Sequence, residues 1–105
     1  MYPSQAVIEE LIRRIVGVVH PLRIILFGSA ARGNMRPDSD IDVLLVMPEG
    51  THRRHTAQDV HQQLFGFPMS VDILVATPED LRQHKDNIGL VYHRVLREGK
   101  DIYAA

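Results

Sequence analysis

The stretch Gly28-Ser-Ala-Ala-Arg-Gly-Asn-Met-Arg-Pro-Asp-Ser-Asp-Ile-Asp42 holds the residues of this chain best suited to chemistry. A glycine and a serine make a small hydroxyl-bearing turn, and ten residues later come two aspartates, Asp40 and Asp42, with one residue between them. On an extended strand alternate side chains share a face, so the two carboxylates project together, roughly 6–7 Å apart along the backbone. Acids that close repel each other and call for a cation, and a hard divalent ion bound through oxygen ligands is the usual one. Gly28 lets the backbone approach a ligand, and Ser29 offers a hydroxyl and an N–H to a phosphate oxygen. Arg32 and Arg36 follow, each with a planar guanidinium that matches phosphate geometry. The chemistry such a set serves is phosphoryl or nucleotidyl transfer.

A general base or a third metal ligand has to come from elsewhere. Asp72 is the candidate, because it interrupts the apolar run Ser70-Val71-Asp72-Ile73-Leu74-Val75. The run predicts a buried acid there, costly unless it is paired or metal-bound.

These residues need elements to hold them. Residues 4–19 carry Val7, Ile8, Leu11, Ile12, Ile15, Val18 and Val19 at helical spacing, with His20-Pro21 as the expected stop. Leu22–Phe27 reads as a buried strand ending at Gly28, Ser29–Gly33 as a helical turn, and Asn34–Ser39 as a loop around Arg36-Pro37-Asp38. Asp40–Met47 reads as a central strand, since both its faces turn apolar after Asp42. Thr51–Phe65 reads as a polar helix burying Ala57, Val60 and Leu64, and Met69–Ala76 as a third strand. Thr77-Pro78-Glu79-Asp80 is a helix start, with a Thr cap, Pro in the first turn and acids behind it. Ile88, Val91, Tyr92, Val95 and Leu96 stripe a last helix closed by Gly99, and Lys100–Tyr103 reads as an edge strand. The expected class is α+β (or α/β): a small mixed β-sheet flanked by helices, in one domain over residues 1–105.

Composition narrows the function. At 105 residues, 45% hydrophobic and 24% charged, the chain fits one ordinary globular core. It contains no cysteine, which excludes thiolate catalysis, zinc–thiolate sites and disulfides. No apolar run is long enough to span a bilayer, and Met1-Tyr2-Pro3-Ser4-Gln5 lacks the basic start of a secretory signal, so a cytoplasmic location is expected. A net charge of −1 does not favour nucleic acid as a partner.

Gly28-Ser29, then Asp40-x-Asp42, with Ala31-Arg32-Gly33 between and Val71-Asp72 downstream, resembles the nucleotidyltransferase superfamily of DNA polymerase β-like folds. The length and the Val-Asp-Ile-Leu-Val strand are most similar to its minimal nucleotidyltransferases (MNT), the antitoxin half of HEPN–MNT toxin–antitoxin pairs. The resemblance covers nearly the whole chain. It implies Mg²⁺-dependent transfer of AMP from ATP to a tyrosine hydroxyl of a partner HEPN toxin, in a possible hetero-oligomer. Gly28 and Ser29, with Arg32, would hold the nucleotide; Asp40 and Asp42 would ligate metal; Asp72 would be third ligand or base. Two other functions stay open: an antitoxin that neutralises by binding alone, and a small-molecule nucleotidyltransferase, for which 105 residues leave little room for an acceptor domain.

Plainer readings exist for each feature. Asp38-Ser39-Asp40 suits an Asx turn, Asp72 or Asp40 could pair with an arginine, and His52-x2-His55 with His61 reads as a solvated polar face rather than a metal set. The HEPN pattern of an arginine shortly before a His-x-Tyr is absent, so the chain is not the toxin half.

Overall fold

The computed structural model describes residues 2–36, 38–84 and 91–105. The first helix, α1 (Gln5–Val16), starts where Ser4 accepts the Val7 N–H on its hydroxyl at 3.2 Å. It ends earlier than the sequence suggests, at Gly17 rather than at His20-Pro21. Glycine costs a helix about 1 kcal/mol relative to alanine, and the β-branched residues around it add to the penalty. The Val18 and Val19 N–H groups then close the turn on the Ile15 carbonyl.

Four strands follow in the order β3-β2-β1-β4. β1 (Arg23–Phe27) lies antiparallel to both β2 (Ile41–Val46) and β4 (Lys100–Ala104), while β2 and β3 (Val71–Ala76) run parallel. The sheet is thus mixed, with β2 central, as its two apolar faces require. Period-two alternation divides its side chains. Ile24, Leu26, Ile41, Val43, Leu45 and Val75 face one core, which Leu11 and Ile15 of α1 and Val60 of α3 (Arg53–Gln63) close. Ile25, Phe27, Leu44, Val46 and Ala76 face a second, covered by Leu81 of α4 (Pro78–His84) and Val95 of α5 (Val91–Glu98). A four-residue helix, α2 (Ser29–Arg32), fills the turn after β1. Ile88, expected in the last helical stripe, and Pro37 of the expected loop lie outside the described residues. None of the described helices is long and apolar enough to cross a membrane.

The histidine spacing has a structural use that the plain solvated-face reading missed. His52 caps α3: its Nδ1 accepts the His55 N–H at 3.1 Å, and α3 therefore starts at Arg53 rather than at Thr51. Among the described residues no group of three acids or histidines is arranged to hold a metal ion by itself.

The start of α4 is a reciprocal cap. The Asp80 N–H donates to Thr77 Oγ1 at 3.3 Å, and the Thr77 N–H donates to Asp80 Oδ2 at 3.0 Å. Arg53 of α3 adds a forked ion pair to the same carboxylate, with a closest approach of 2.6 Å. Burial pushes the Asp80 carboxyl up, but the Thr77 N–H, the Arg53 guanidinium and the Thr77 hydroxyl outweigh it and hold it below its ordinary value. A group with a lowered folded pKa contributes stability that is complete above its unfolded value, about pH 4, and is lost as pH falls through the folded value. Thr77→Ala should therefore cost about 0.5–2 kcal/mol in urea unfolding at pH 7. The gap between Asp80→Asn and the parent should close at low pH; a gap that persists at pH 2 would remove the carboxylate from the account.

Candidate active site

The site forms where the strands meet at one end of the sheet. Asp42 is the second residue of β2 and Asp72 the second of β3, and the parallel register sets them directly opposite each other. On the other side Asp42 is paired with Phe27, the last residue of β1, so the turn at Gly28 follows beside it. Asp40 lies just before β2 and is exposed. The acids Asp42 and Asp72 share the sheet face of Leu44 and Leu74, the face covered by α4 and α5.

Gly28 shows why this turn needs glycine. Its φ of 69° and ψ of −151° lie in a region that L side chains rarely adopt. A Cβ placed there would run into the carboxylate of Asp42. The missing side chain is the space the Asp42 carboxylate occupies. Ser29, half-buried, then opens α2, and the Ala31 and Arg32 N–H groups both donate to the Gly28 carbonyl at 3.1 Å.

The charges respond to this crowding. Burial pushes the Asp42 carboxyl above its ordinary value; the Asp72 charge and a side-chain hydrogen bond between the two acids push it further, and Asp40 adds to them. The Arg94 guanidinium of α5 opposes the rise. Two carboxylates held this close disfavour the charged form of Asp42 when no cation is present. A pair of carboxylates forced together in this way suits Mg²⁺, which takes one or two carboxylates and completes its octahedron from substrate phosphates and water. Asp42 and Asp72, with Asp40 beside them, are the residues that would hold it.

Asp72 differs from its expected setting. It is exposed rather than buried, because β3 is an edge strand and the residue stands near its open start. It forms no ion pair among the described residues, so structural pairing with an arginine does not explain it. The segment leading into β3 is held by Arg14 of α1, whose Nη1 donates to the carbonyls of Gln63 and Phe65 at 3.3 and 3.0 Å and whose guanidinium lies over the Phe67 ring. Arg32 reaches Glu98 of α5 at 3.4 Å and not Asp40. Arg36 sits in a turn closed by Ser39, whose Oγ accepts the Arg36 N–H at 2.9 Å. Arg94 is the residue that the sequence reading passed over. Its signal lay in the polar face of the last helix, where His93, Arg94 and Arg97 cluster opposite Tyr92 and Val95.

No curated protein sequence matches the chain significantly. Among solved structures, the chain is similar to one in a toxin–antitoxin complex with AMP-PNP, at 22% identity and a TM-score of 0.63, over 93% of this chain and 73% of that one. It is also similar to a chain of a mutant MntA–HpeT toxin–antitoxin pair, at 16% identity and a TM-score of 0.68, over 93% and 73%. A third match is to a tri-AMPylated Shewanella oneidensis HEPN toxin in complex with MNT antitoxin, at 16% identity and a TM-score of 0.64, over 96% and 72%. At these identities the likeness is one of fold. The sequence itself carries more: residues 7–101 match the family model described as the nucleotidyltransferase domain. With that match, and with its acids gathered against the Gly28 turn, the chain belongs to the nucleotidyltransferase domain family.

Proposed function

We propose that this chain is a Mg²⁺-dependent protein adenylyltransferase acting as an antitoxin, moving AMP from ATP to a tyrosine hydroxyl of a HEPN-type partner. The observation that carries the reading is Asp42 set opposite Asp72 across the parallel strand pair, beside a glycine whose absent side chain makes room for Asp42. The fold neighbours support the choice of nucleotide and partner: one is a complex with AMP-PNP, another contains an AMPylated HEPN toxin with MNT antitoxin.

In this mechanism Gly28 and Ser29 lie against the triphosphate, and Arg32 turns from Glu98 toward it. Bound to Asp42 and Asp72, with Asp40 beside them, Mg²⁺ would neutralise the phosphate charge and lower the barrier to attack. The acceptor oxygen bonds to the α-phosphorus, the bond from that phosphorus to the β-bridging oxygen breaks, and pyrophosphate leaves with the electron pair. The acceptor's proton passes to the Asp72 carboxylate, which is exposed and can return it to water.

The test is to mix the protein with the product of the neighbouring reading frame and ATP labelled at the α-phosphate. Label on a partner tyrosine, dependent on Mg²⁺ and absent with Asp42→Asn, is the expected result. Full neutralisation of the partner by Asp42→Asn without any label would replace transfer with binding alone.

A further inference from the structure

The two edges of the sheet are finished differently. β4 opens with Lys100 and Asp101, both exposed, and its register against β1 shifts between Ile24 and Ile25. Charged residues and a broken register are common guards against the addition of a further strand. β3 lacks them. Val71-Asp-Ile-Leu-Val-Ala76 pairs with β2 without a shift, contains no proline or lysine, and carries one charge, Asp72 of the acid pair.

The hydrogen bonds identify the groups this edge leaves free. The Ile41 N–H donates to the Ser70 carbonyl at 2.9 Å, and the Met47 N–H to the Ala76 carbonyl at 2.8 Å. Backbone groups alternate between the two sides of a strand, so Ser70, Asp72, Leu74 and Ala76 turn theirs to β2. Val71, Ile73 and Val75 turn theirs outward, where no described residue bonds them. The row is open at its start, for Asp72 is exposed and Val71 and Ile73 are half-buried, while Val75 is buried.

Donors and acceptors alternating at strand spacing match one kind of ligand, another extended polypeptide. A second copy of this chain pairing here would bring its own Asp72 close to the first, and like charges on neighbouring strands repel. A segment of a different protein meets no such conflict. We propose that the open start of β3 is the docking edge for the acceptor protein, which adds an extended segment beside Val71–Leu74 and so presents its hydroxyl to Asp72. The proposal rests on the nucleotidyl-transfer reading for its partner. Residues opposed on neighbouring strands share a face with Cβ atoms about 4.5–5.5 Å apart, and diagonal neighbours stay within reach of an aromatic side chain. A tyrosine at or diagonal to the position opposite Asp72 therefore lies on the face that carries Asp42 and Asp72.

Hydrogen exchange followed by NMR tests this on the whole protein, alone and mixed with the product of the neighbouring reading frame. In the protein alone the Val71 and Ile73 amides should exchange fast, and those of Asp72 and Leu74, turned to β2, slowly. With the partner, Val71 and Ile73 should slow tenfold or more. Ile73→Pro deletes one outward N–H and no ladder bond, a change edge strands tolerate, whereas Ile73→Ala gives up the side chain and keeps the N–H. The proline variant should bind the partner about tenfold more weakly than the alanine variant and bind ATP equally well. Should the proline variant fail to melt cooperatively, the exchange pattern decides. Unchanged exchange at Val71 and Ile73 in a complex that labels its partner overturns the docking edge and leaves the transfer reading standing. Slow exchange of both amides in the protein alone, or equal partner affinity in the two folded variants, also overturns it. Protection of both amides in a complex that takes no label supports the docking edge and removes the transfer reading. A protein that neither binds nor labels the product removes both.

Discussion

Replacing Asp42 by asparagine should abolish nucleotidyl transfer and leave the fold at least as stable as before. The two halves of this result come from one piece of geometry. Asp42 is half-buried, faces Asp72 across the parallel pair and feels Asp40, so the fold disfavours its charged form. The sign follows from linkage: a carboxyl whose folded pKa is raised subtracts from stability as pH climbs from its ordinary value through the folded one. Asparagine keeps the shape, removes that charge and can donate a hydrogen bond to Asp72. In EDTA at pH 7 the variant should melt at or above the parent's temperature. Transfer depends on the same charge, because the metal site is worth several kcal/mol of transition-state stabilisation, or about a thousandfold in rate. Residual labelling within tenfold of the parent would remove Asp42 from the metal site. A clearly lower melting temperature would mean that the acids support the fold rather than strain it.

Gly28→Ala should damage both stability and rate. The substitution forces a methyl group into the carboxylate of Asp42 and places an L residue at φ 69°. Backbone strain of this kind costs about 1–3 kcal/mol, and displacement of Asp42 adds to it. A shift of about 1 Å at a reacting group is enough to cost roughly a hundredfold in rate. Gly50 is the control, because its φ is 87° while nothing lies within 4 Å of an added Cβ. Gly50→Ala should lose stability through strain alone and keep full activity. The comparison separates the two effects: if Gly28→Ala transfers AMP as well as Gly50→Ala does, the close packing of Gly28 on Asp42 has no catalytic consequence.

Much of this site was legible before any fold was known, and the reasons are local. Gly28, Ser29, Asp40 and Asp42 announce themselves because residue type and spacing on a turn and a strand constrain chemistry over short range. Asp72 was legible as an anomaly, a charge in an apolar run. Its exposure was not, because whether a strand is central or at an edge depends on partners elsewhere in the chain. The end of α1 was misplaced for a related reason. His20-Pro21 is a strong stop, but Gly17 with its β-branched neighbours acts first, and the chain needs Val19 inside the core rather than on a helix. His52 and His55 read as a solvated polar face and are also a helix cap, a use that only the direction of one ring nitrogen reveals.

The amino-acid sequence by itself determined the chemistry this protein is equipped for: a glycine–serine turn, three acids and no thiols, within a mixed α and β chain. Those features follow from side-chain type and from periods of two and 3.6, which are written along the chain. Only the tertiary structure decided which groups face one another. It set Asp72 opposite Asp42 through a parallel register, turned Arg32 to Glu98, and brought Arg94, more than fifty positions along the chain from Asp42, to bear on its charge. Such meetings arise from sheet order and from the packing of α5 on β1, which no local pattern encodes.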